Sequence, residues 1–227
     1  MAEQRVEAAR TAEQHIKMSY DEWLTAFEDS THTEWVNGEA ITFMPPKTIH
    51  QQIADFLSRL MGLYAELLHL GTVISAPFEM RIRAGGNVRG PDLLFIAHEH
   101  LERLTPDRLA SPADLVVEIL SEDSARRDRS DKFYEYQGGG VREYLIVDPR
   151  PGKERLDWYA LQEDGRYQAL LPDGQGRYRS AALPRFWLRA GWLREGHIPD
   201  PLLALAEIRG LSPEAAQALR EMLLGAV

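Results

Sequence analysis

The chain has 227 residues, of which 44% are hydrophobic and 27% charged, and this composition suits one globular core with an appendage. It contains no cysteine, which excludes disulfides, zinc–thiolate sites and cysteine nucleophiles. The formal charge of −9 argues against bulk attraction to nucleic acid, so DNA binding would require a local basic patch or metal ions. The N-terminus lacks an apolar signal segment and no apolar run is long enough to span a membrane, which predicts a cytoplasmic protein.

The first part of the chain predicts a tail, a short helix, a hairpin and a long helix. Residues 1–17 are polar and without a clear pattern, as expected of a tail. An S-x-x-E capping pattern at Ser19 opens a short helix, and Asn37–Gly38 between two β-type runs predicts a hairpin. A T-x-x-Q pattern at Thr48 opens an amphipathic helix, which apolar residues at helical spacing extend to about Leu70.

The middle of the chain predicts strands around one polar helix. Strands are predicted over residues 73–82, 92–97 and 114–120, followed by a helix over 125–137 and a strand over 143–148. A strand, a helix and a strand of this length form a βαβ unit in which the two strands are parallel. The sequence therefore predicts an α/β fold with a mixed sheet.

The last third of the chain predicts small hairpins and then helices. Residues 153–193 alternate short β-type runs with Asp-Gly turns, and two apolar helical stretches follow Pro199. We therefore expect a polar tail over residues 1–17, one main domain over 18–195 and a helical extension over 196–227.

Two carboxylates are the strongest candidates for chemistry. Glu118 lies inside the apolar strand LVVEIL, where an ionised carboxylate is costly unless it is paired, hydrogen-bonded or metal-bound. There are two structural alternatives. Glu118 could lie at a strand end that emerges into solvent, or it could be paired with a nearby arginine. Asp92 opens a strand directly after Gly90-Pro91, and on a neighbouring strand it would converge with Glu118 on one ion. Such a pair suits Mg²⁺, which takes one or two carboxylates and keeps several waters, and the bound ion activates water for phosphodiester hydrolysis.

Four segments follow one another in the chain: GPDLLFI, DLVVEILSEDS, RRDRSDKFYEYQ and GVREYLIVDP. In this order they resemble the Uma family of putative restriction endonucleases, a bacterial group within the PD-(D/E)XK nuclease superfamily. The resemblance covers roughly residues 18–170 and includes the stretch NGEAITFMPPKTIHQQI. It implies a core of a helix, three antiparallel strands, a helix and a parallel strand, decorated here by the N-terminal hairpin and the C-terminal hairpins and helices.

The resemblance also implies the site residues. Asp92 corresponds to the first acid and Glu118 to the second, and these two residues, with the carbonyl of Ile119, would hold Mg²⁺ or Mn²⁺. The superfamily places a lysine two residues after the second acid, but this chain has Leu120 there. The resemblance implies that in this family the lysine comes instead from the following helix. Lys132 matches that position.

Four further residues are candidates for the cleft. His50 lies in the first turn of the long helix, either as a phosphate or metal contact or packed against the hairpin. Glu39 and Glu34 on the hairpin are candidates for a third acid, although Glu39 after Asn-Gly is equally suited to solvent. Tyr136 follows Lys132 by one helical turn and so shares its face, where it either lines the cleft or packs in the core.

A basic cluster precedes Lys132. Arg126, Arg127 and Arg129 form, with that lysine, the densest group of positive charge in the chain and are candidates for binding a phosphate backbone. Acidic residues are interspersed among them, so a solvent-exposed helix with charges of both signs explains the cluster equally well.

Two classes of function remain open at this point. The first is a metal-dependent endonuclease that hydrolyses DNA as a homodimer, where the dimer rests on analogy with enzymes that cut both strands. The second is a catalytically inactive nuclease-fold module that binds nucleic acid or protein, which Leu120 and the acidic composition favour. A phosphodiesterase acting on RNA or a nucleotide is a third possibility.

Overall fold

A computed structural model describes residues 14–27, 33–43 and 46–225 of the chain. Its α-helices are α1 Tyr20–Ala26, α2 Thr48–Leu67, α3 Ala125–Arg129, α4 Asp131–Gly139, α5 Pro201–Ile208 and α6 Pro213–Leu224. Its first eight strands are β1 Gln14–Lys17, β2 Thr33–Val36, β3 Glu39–Thr42, β4 Gly71–Ser75, β5 Glu79–Arg81, β6 Val88–Arg89, β7 Leu93–Ala97 and β8 Arg108–Leu109. The remaining strands are β9 Leu115–Ile119, β10 Glu143–Asp148, β11 Arg155–Leu161, β12 Tyr167–Leu170, β13 Arg177–Arg179 and β14 Trp187–Arg189.

The main sheet has six strands in the order β12-β11-β10-β9-β7-β4. Strands β9 and β10 are parallel, and helices α3 and α4 lie between them in the chain, which confirms the predicted βαβ unit. The other neighbours in this sheet are antiparallel. The fold is therefore mixed α/β, as predicted.

A second sheet packs beside the first and contains the predicted hairpin. Its order is β1-β3-β2-β6-β5-β8, with β2 and β3 joined through Asn37 and Gly38, both of which have positive φ. Residues 14–17, which the sequence placed in a polar tail, form the edge strand β1 on β3. Their side chains are exposed, so a polar sequence is compatible with a strand whose bonds are made by the backbone. Residues 1–13 lie outside the described part of the chain.

Apolar side chains cover both faces of the main sheet. On one face, α2 buries a stripe of residues that recur every three or four positions: Ile53, Phe56, Leu57, Leu60, Met61, Tyr64 and Ala65. They pack against alternate residues of β7 and β9, including Phe95 and Val117. On the other face, Tyr136 of α4 packs with Val116 of β9 and Ile146 of β10. Glu118 alternates with Val117 along β9, so it points to this second face.

One predicted strand and one predicted helix are each divided in two in the structure. The predicted strand 73–82 is β4 and β5, which belong to different sheets. Pro77 lies between them and has no N–H to continue a ladder. The predicted helix 125–137 is α3 and α4, separated at Ser130, whose hydroxyl donates to the carbonyl of Arg126 at 2.7 Å.

The predicted capping box at Thr48 is wrong. The long helix begins at Thr48 itself, so the residue at the cap position is Lys47, whose side chain makes no capping hydrogen bond. An ammonium has no acceptor for the free N–H groups of the first turn. The capping box at Ser19 is confirmed, because both of its reciprocal hydrogen bonds with Glu22 are present.

The two C-terminal helices differ in how they pack. Leu205 and Ile208 of α5 belong to the same apolar core as α2, so α5 is part of the main core although the sequence placed it in an extension. Helix α6 buries Ala216 and leaves Met222 exposed. Among the described residues, every helix is too short or too polar to cross a membrane.

Candidate functional site

A cavity of about 1230 Å³ opens between the main sheet, the start of α2, the β2–β3 hairpin and the α3–α4 pair. Its lining includes five residues singled out in the sequence: Glu34, His50, Asp92, Glu118 and Lys132. Residues from four distant segments of the chain therefore meet in one place.

Asp92 is fixed at the entrance to β7 by its surroundings. One oxygen of its carboxylate, Oδ2, accepts a 2.6 Å hydrogen bond from the backbone N–H of Ile119 on β9. The same oxygen lies 3.3 Å from Nε2 of His50. Because Leu93 pairs with Val117 across the antiparallel β7–β9 ladder, the first acid and the strand of the second acid are direct neighbours.

Glu118 is 4% exposed and is held from helix α4. Its Oε1 accepts hydrogen bonds from Nζ of Lys132 at 2.7 Å and from the hydroxyl of Tyr136 at 2.9 Å. The predicted shared face of Lys132 and Tyr136 is therefore observed, and both side chains converge on the same carboxylate oxygen. Tyr136 itself is fully buried in the core and does not line the cavity.

Lys132 is the centre of a buried charge network. Besides Glu118, its ammonium lies 3.0 Å from Oε1 of Glu34 and 3.4 Å from Oδ1 of Asp128. Burial by itself lowers the pKa of Lys132, but the charges of these carboxylates outweigh burial and hold the pKa above its ordinary value. Lys132 is thus an ammonium at neutral pH, suited to binding negative charge and not to accepting a proton.

Glu118 has the opposite character, because its charge is incompletely offset. Burial raises the pKa of Glu118 well above its ordinary value, and the nearby charges of Asp128 and Asp92 raise it further. The charge of Lys132 lowers this pKa but does not cancel the rise. The site therefore favours an additional positive charge beside this carboxylate.

His50 supports Asp92 from the first turn of α2. Burial lowers the pKa of His50, but the hydrogen bond to Asp92 and the charge of Asp92 outweigh it and leave the pKa raised. Its Nδ1 is buried and has no hydrogen-bond partner within the described chain. The structure places His50 in the cavity in contact with the first acid, and a role as a phosphate or metal contact stays a prediction.

The donor set suits a hard divalent cation. The carboxylates of Asp92 and Glu118 line the cavity together with Ile119, whose carbonyl is the third oxygen expected from the sequence. No group of three or more His, Asp or Glu side chains in the described residues is arranged to hold an ion. Two carboxylates and one carbonyl are oxygen donors, and oxygen donors are the ligands that Mg²⁺ takes in proteins.

The other candidates are divided between the site and the surface. Glu34 lies in the network around Lys132, whereas Glu39 lies 3.1 Å from His15 at the exposed edge of the second sheet. Leu120 is buried among the apolar residues that cover the second face of the main sheet. The position at which the superfamily places a lysine is therefore apolar in this chain.

The arginine cluster is also divided, because its three side chains have different surroundings, and its role in binding a phosphate backbone stays a prediction. Arg127 lines the cavity, with its guanidinium carbon 4.3 Å from the centre of the Phe43 ring. Arg129 turns away to form ion pairs with Asp148 and Asp157, and Arg126 is exposed. The helix breaks at Ser130, and consecutive side chains of α3 point in different directions, which a linear cluster does not reveal.

Sequence analysis missed two buried charges of the network. Asp128 was read as one of several surface acids, although its spacing of four residues from Lys132 was a usable signal. Arg89 is 3% exposed and contacts Glu34 and Glu135, and nothing in its local sequence distinguishes it from a surface arginine.

The fold is similar to that of a solved structure, a putative nuclease belonging to DUF820 from Anabaena variabilis ATCC 29413. The two are 17% identical with a TM-score of 0.61, and the match covers 76% of this chain and 95% of the other. This likeness establishes a nuclease-like α/β fold.

No curated protein matches the chain. The chain belongs to the Uma2 family, described as putative restriction endonuclease, whose profile matches residues 18–191. Membership supports a nuclease function in general.

Proposed function

We propose that this protein is a metal-dependent endonuclease that hydrolyses phosphodiester bonds in DNA. The observation that carries the proposal is the meeting of Asp92, Glu118 and Lys132 in one cavity, with Lys132 2.7 Å from Glu118. The family supports the reaction class, and the incompletely offset charge of Glu118 supports the use of a cation.

The ligands of the cation would be Asp92, Glu118 and the Ile119 carbonyl, and the cation would be Mg²⁺ or Mn²⁺. Such an ion, when bound, lowers the pKa of a water ligand and offsets negative charge on the phosphoryl group. His50 and the Ile119 N–H hold Asp92 in position, and Tyr136 holds Glu118. These contacts orient the oxygens before the substrate arrives.

Lys132 and Arg127 supply the protein's own positive charge. Because Lys132 stays protonated, its role is to bind the scissile phosphate or to stabilise the charge that develops on it. Arg127 lines the same cavity and offers a second cation for a neighbouring phosphate. Phosphate groups would thus contact the α3–α4 side of the cavity.

The charge balance of the cavity favours a metal-dependent reaction. The lining contains nine aspartates and glutamates but only four lysines and arginines. A polyanion entering such a cavity is repelled unless cations accompany it. We propose DNA as the substrate and a homodimer as the working form, since cutting both strands requires two sites.

The test is cleavage of a supercoiled plasmid with Mg²⁺ or Mn²⁺, alongside calorimetric titration of the ion. Asp92→Ala should lose ion binding and slow cleavage by at least about a hundredfold, because one of two side-chain ligands is gone. Glu39→Gln is the matched control and should resemble wild type. Wild-type cleavage that continues in excess EDTA would contradict the proposal, as would an undiminished rate in Asp92→Ala.

A second candidate is an inactive nuclease-fold module that binds nucleic acid or protein. The buried Leu120, at the position of the usual lysine, favours it. The same titration separates the two, because an inert module should bind no ion through Asp92 and should leave the plasmid intact.

A further inference from the structure

Glu34 is a buried carboxylate that the sheet of the N-terminal hairpin brings to the site. It lies on β2, is 2% exposed, and has hydrogen-bond donors around both of its oxygens. Oε1 lies 3.0 Å from Nζ of Lys132 and accepts a 3.2 Å hydrogen bond from the backbone N–H of Gly90. Oε2 accepts a 2.9 Å bond from Arg89.

These contacts join the two halves of the candidate site. Gly90 begins the short Gly90–Asp92 segment that leads into β7 and carries the first acid, and Lys132 is the cation beside the second acid. One carboxylate therefore touches both the backbone that directs Asp92 and the ammonium that contacts Glu118. Its own position is fixed by Arg89, which a second residue of helix α4, Glu135, also binds.

We propose that Glu34 is a positioning residue that holds the ammonium of Lys132 in the cavity and fixes the backbone of the Gly90–Asp92 segment. Glu118 and Asp128 also contact Lys132, but both come from the main sheet and the α3–α4 pair that it already belongs to. Glu34 is the contact that comes from the other sheet. The N-terminal hairpin is thereby part of the active site, and the catalytic consequence of this inference rests on the proposed function.

The chain offers a direct probe of the proposal, because it has only four lysines: Lys17, Lys47, Lys132 and Lys153. Lys132 is buried and the other three are exposed. Labelling with acetic anhydride, read by peptide mass spectrometry, therefore compares one protected amine with three internal references. In Glu34→Gln, Lys132 should label about tenfold faster or more, because an ammonium that loses one charged hydrogen bond is released more often.

Two controls separate this contact from general loosening. Glu135→Gln removes the outer partner of Arg89 but leaves the contact between Glu34 and Lys132. Glu39→Gln changes a partly exposed acid of the same hairpin that lies away from Lys132. Both should label like wild type. If Glu34→Gln does not fold, Glu34→Asp replaces it, since it keeps a charge for Arg89 while withdrawing the carboxylate from Lys132. Unchanged Lys132 labelling in a folded Glu34 variant overturns the proposal, and so does an equal increase in Glu135→Gln.

The catalytic consequence has its own measurement. The Glu34 variant should bind Mn²⁺ like wild type in calorimetry, while its kcat for plasmid cleavage falls about tenfold or more, since misplacement of a charged group costs rate. Loss of Mn²⁺ binding together with rate would mean that Glu34 acts on the ion site and not on Lys132, and would overturn the assignment. If wild type itself does not cleave, the nuclease proposal fails, and the labelling result alone decides the role of Glu34.

Discussion

Two ion-pair clusters flank helix α3, and consecutive residues of that helix belong to different ones. Asp128 faces the cavity cluster, formed by Glu34, Glu118, Asp128 and Lys132. Arg129 faces the outer cluster, formed by Arg129, Asp148, Arg150 and Asp157. In the cavity cluster three carboxylates surround one ammonium, and Glu34 has a second cation, Arg89. In the outer cluster Asp148 contacts two guanidinium groups, those of Arg129 and Arg150.

The two clusters have opposite effects on their carboxylates. In the cavity cluster, burial raises the pKa of Glu118, and Lys132 does not compensate for it. In the outer cluster, burial would raise the pKa of Asp148, but hydrogen bonds from Arg150 and Arg129 outweigh burial and hold that pKa at about 2. The outer cluster therefore contributes to folding stability. The cavity cluster lacks positive charge, which is expected where a cation and a substrate are to bind.

The largest expected effect is on activity, from Glu118→Gln. Cleavage of plasmid DNA should fall by at least about a thousandfold, since the variant loses an anionic ligand of the ion. The free energy of unfolding should equal or exceed that of wild type, because the variant removes a carboxylate whose ionised form is disfavoured by burial. Urea denaturation at pH 7 measures the second effect. A marked loss of stability would show that Glu118 is a structural ion-pair partner, like Asp148.

The next effect is on stability, from Lys132→Met. This variant leaves three buried carboxylates without their ammonium and should lose about 3–5 kcal/mol of unfolding free energy. Arg129→Met is the matched control in the outer cluster, and since Arg129 is partly exposed its loss should be about 1 kcal/mol. Equal losses in the two variants would mean that the clusters do not differ in the way proposed.

The contribution of Glu118 to stability depends on pH. Its pKa in the folded protein is above the ordinary value of 4.5, so the folded state holds this proton more tightly than the unfolded state. The contribution is complete below pH 4.5 and is lost as pH rises through the raised pKa. Stability measured against pH should therefore show Glu118→Gln gaining on wild type as pH increases. A difference that is constant from pH 4 upward would contradict the raised pKa.

The sequence predicts the core of the site better than its surroundings. Glu118 is recognisable because a carboxylate stands inside an apolar strand, and Tyr136 follows Lys132 at helical spacing. Those signals are local. The pleat of β2 and β3 does not by itself say whether Glu34 or Glu39 reaches the cavity, since that depends on how the second sheet packs on the first.

Long-range contacts decide the rest of the charge network. Arg89 reaches Glu34 and Glu135 across 55 and 46 residues of sequence, respectively. Asp128 and Arg129 face different clusters because consecutive residues of a helix point about 100° apart. Helices α3 and α4 are separated at Ser130, whose backbone is not helical (φ −124°, ψ −69°). The division of the predicted strand 73–82 likewise moves β5 into the second sheet. Each of these features depends on tertiary packing, which overrides the local pattern.

The smallest effect completes the comparison from the side of the outer cluster. Asp148→Asn should lose about 1 kcal/mol at neutral pH, a value reduced from the full shift because solvent reaches both arginines. Its folded pKa of about 2 lies below the ordinary 3.8, so this stability is present above pH 3.8 and is lost as pH falls towards 2. Wild type and Asp148→Asn should therefore converge in acid, as followed by urea denaturation between pH 2 and pH 7, while plasmid cleavage by the variant stays at the wild-type rate.

Glu118 and Asp148 would then titrate with opposite signs although both are buried carboxylates on neighbouring parallel strands, because only Asp148 is matched by enough positive charge from the protein. A fall in cleavage by Asp148→Asn would mean that the outer cluster also supports the cavity, since Arg129 and Asp128 share helix α3.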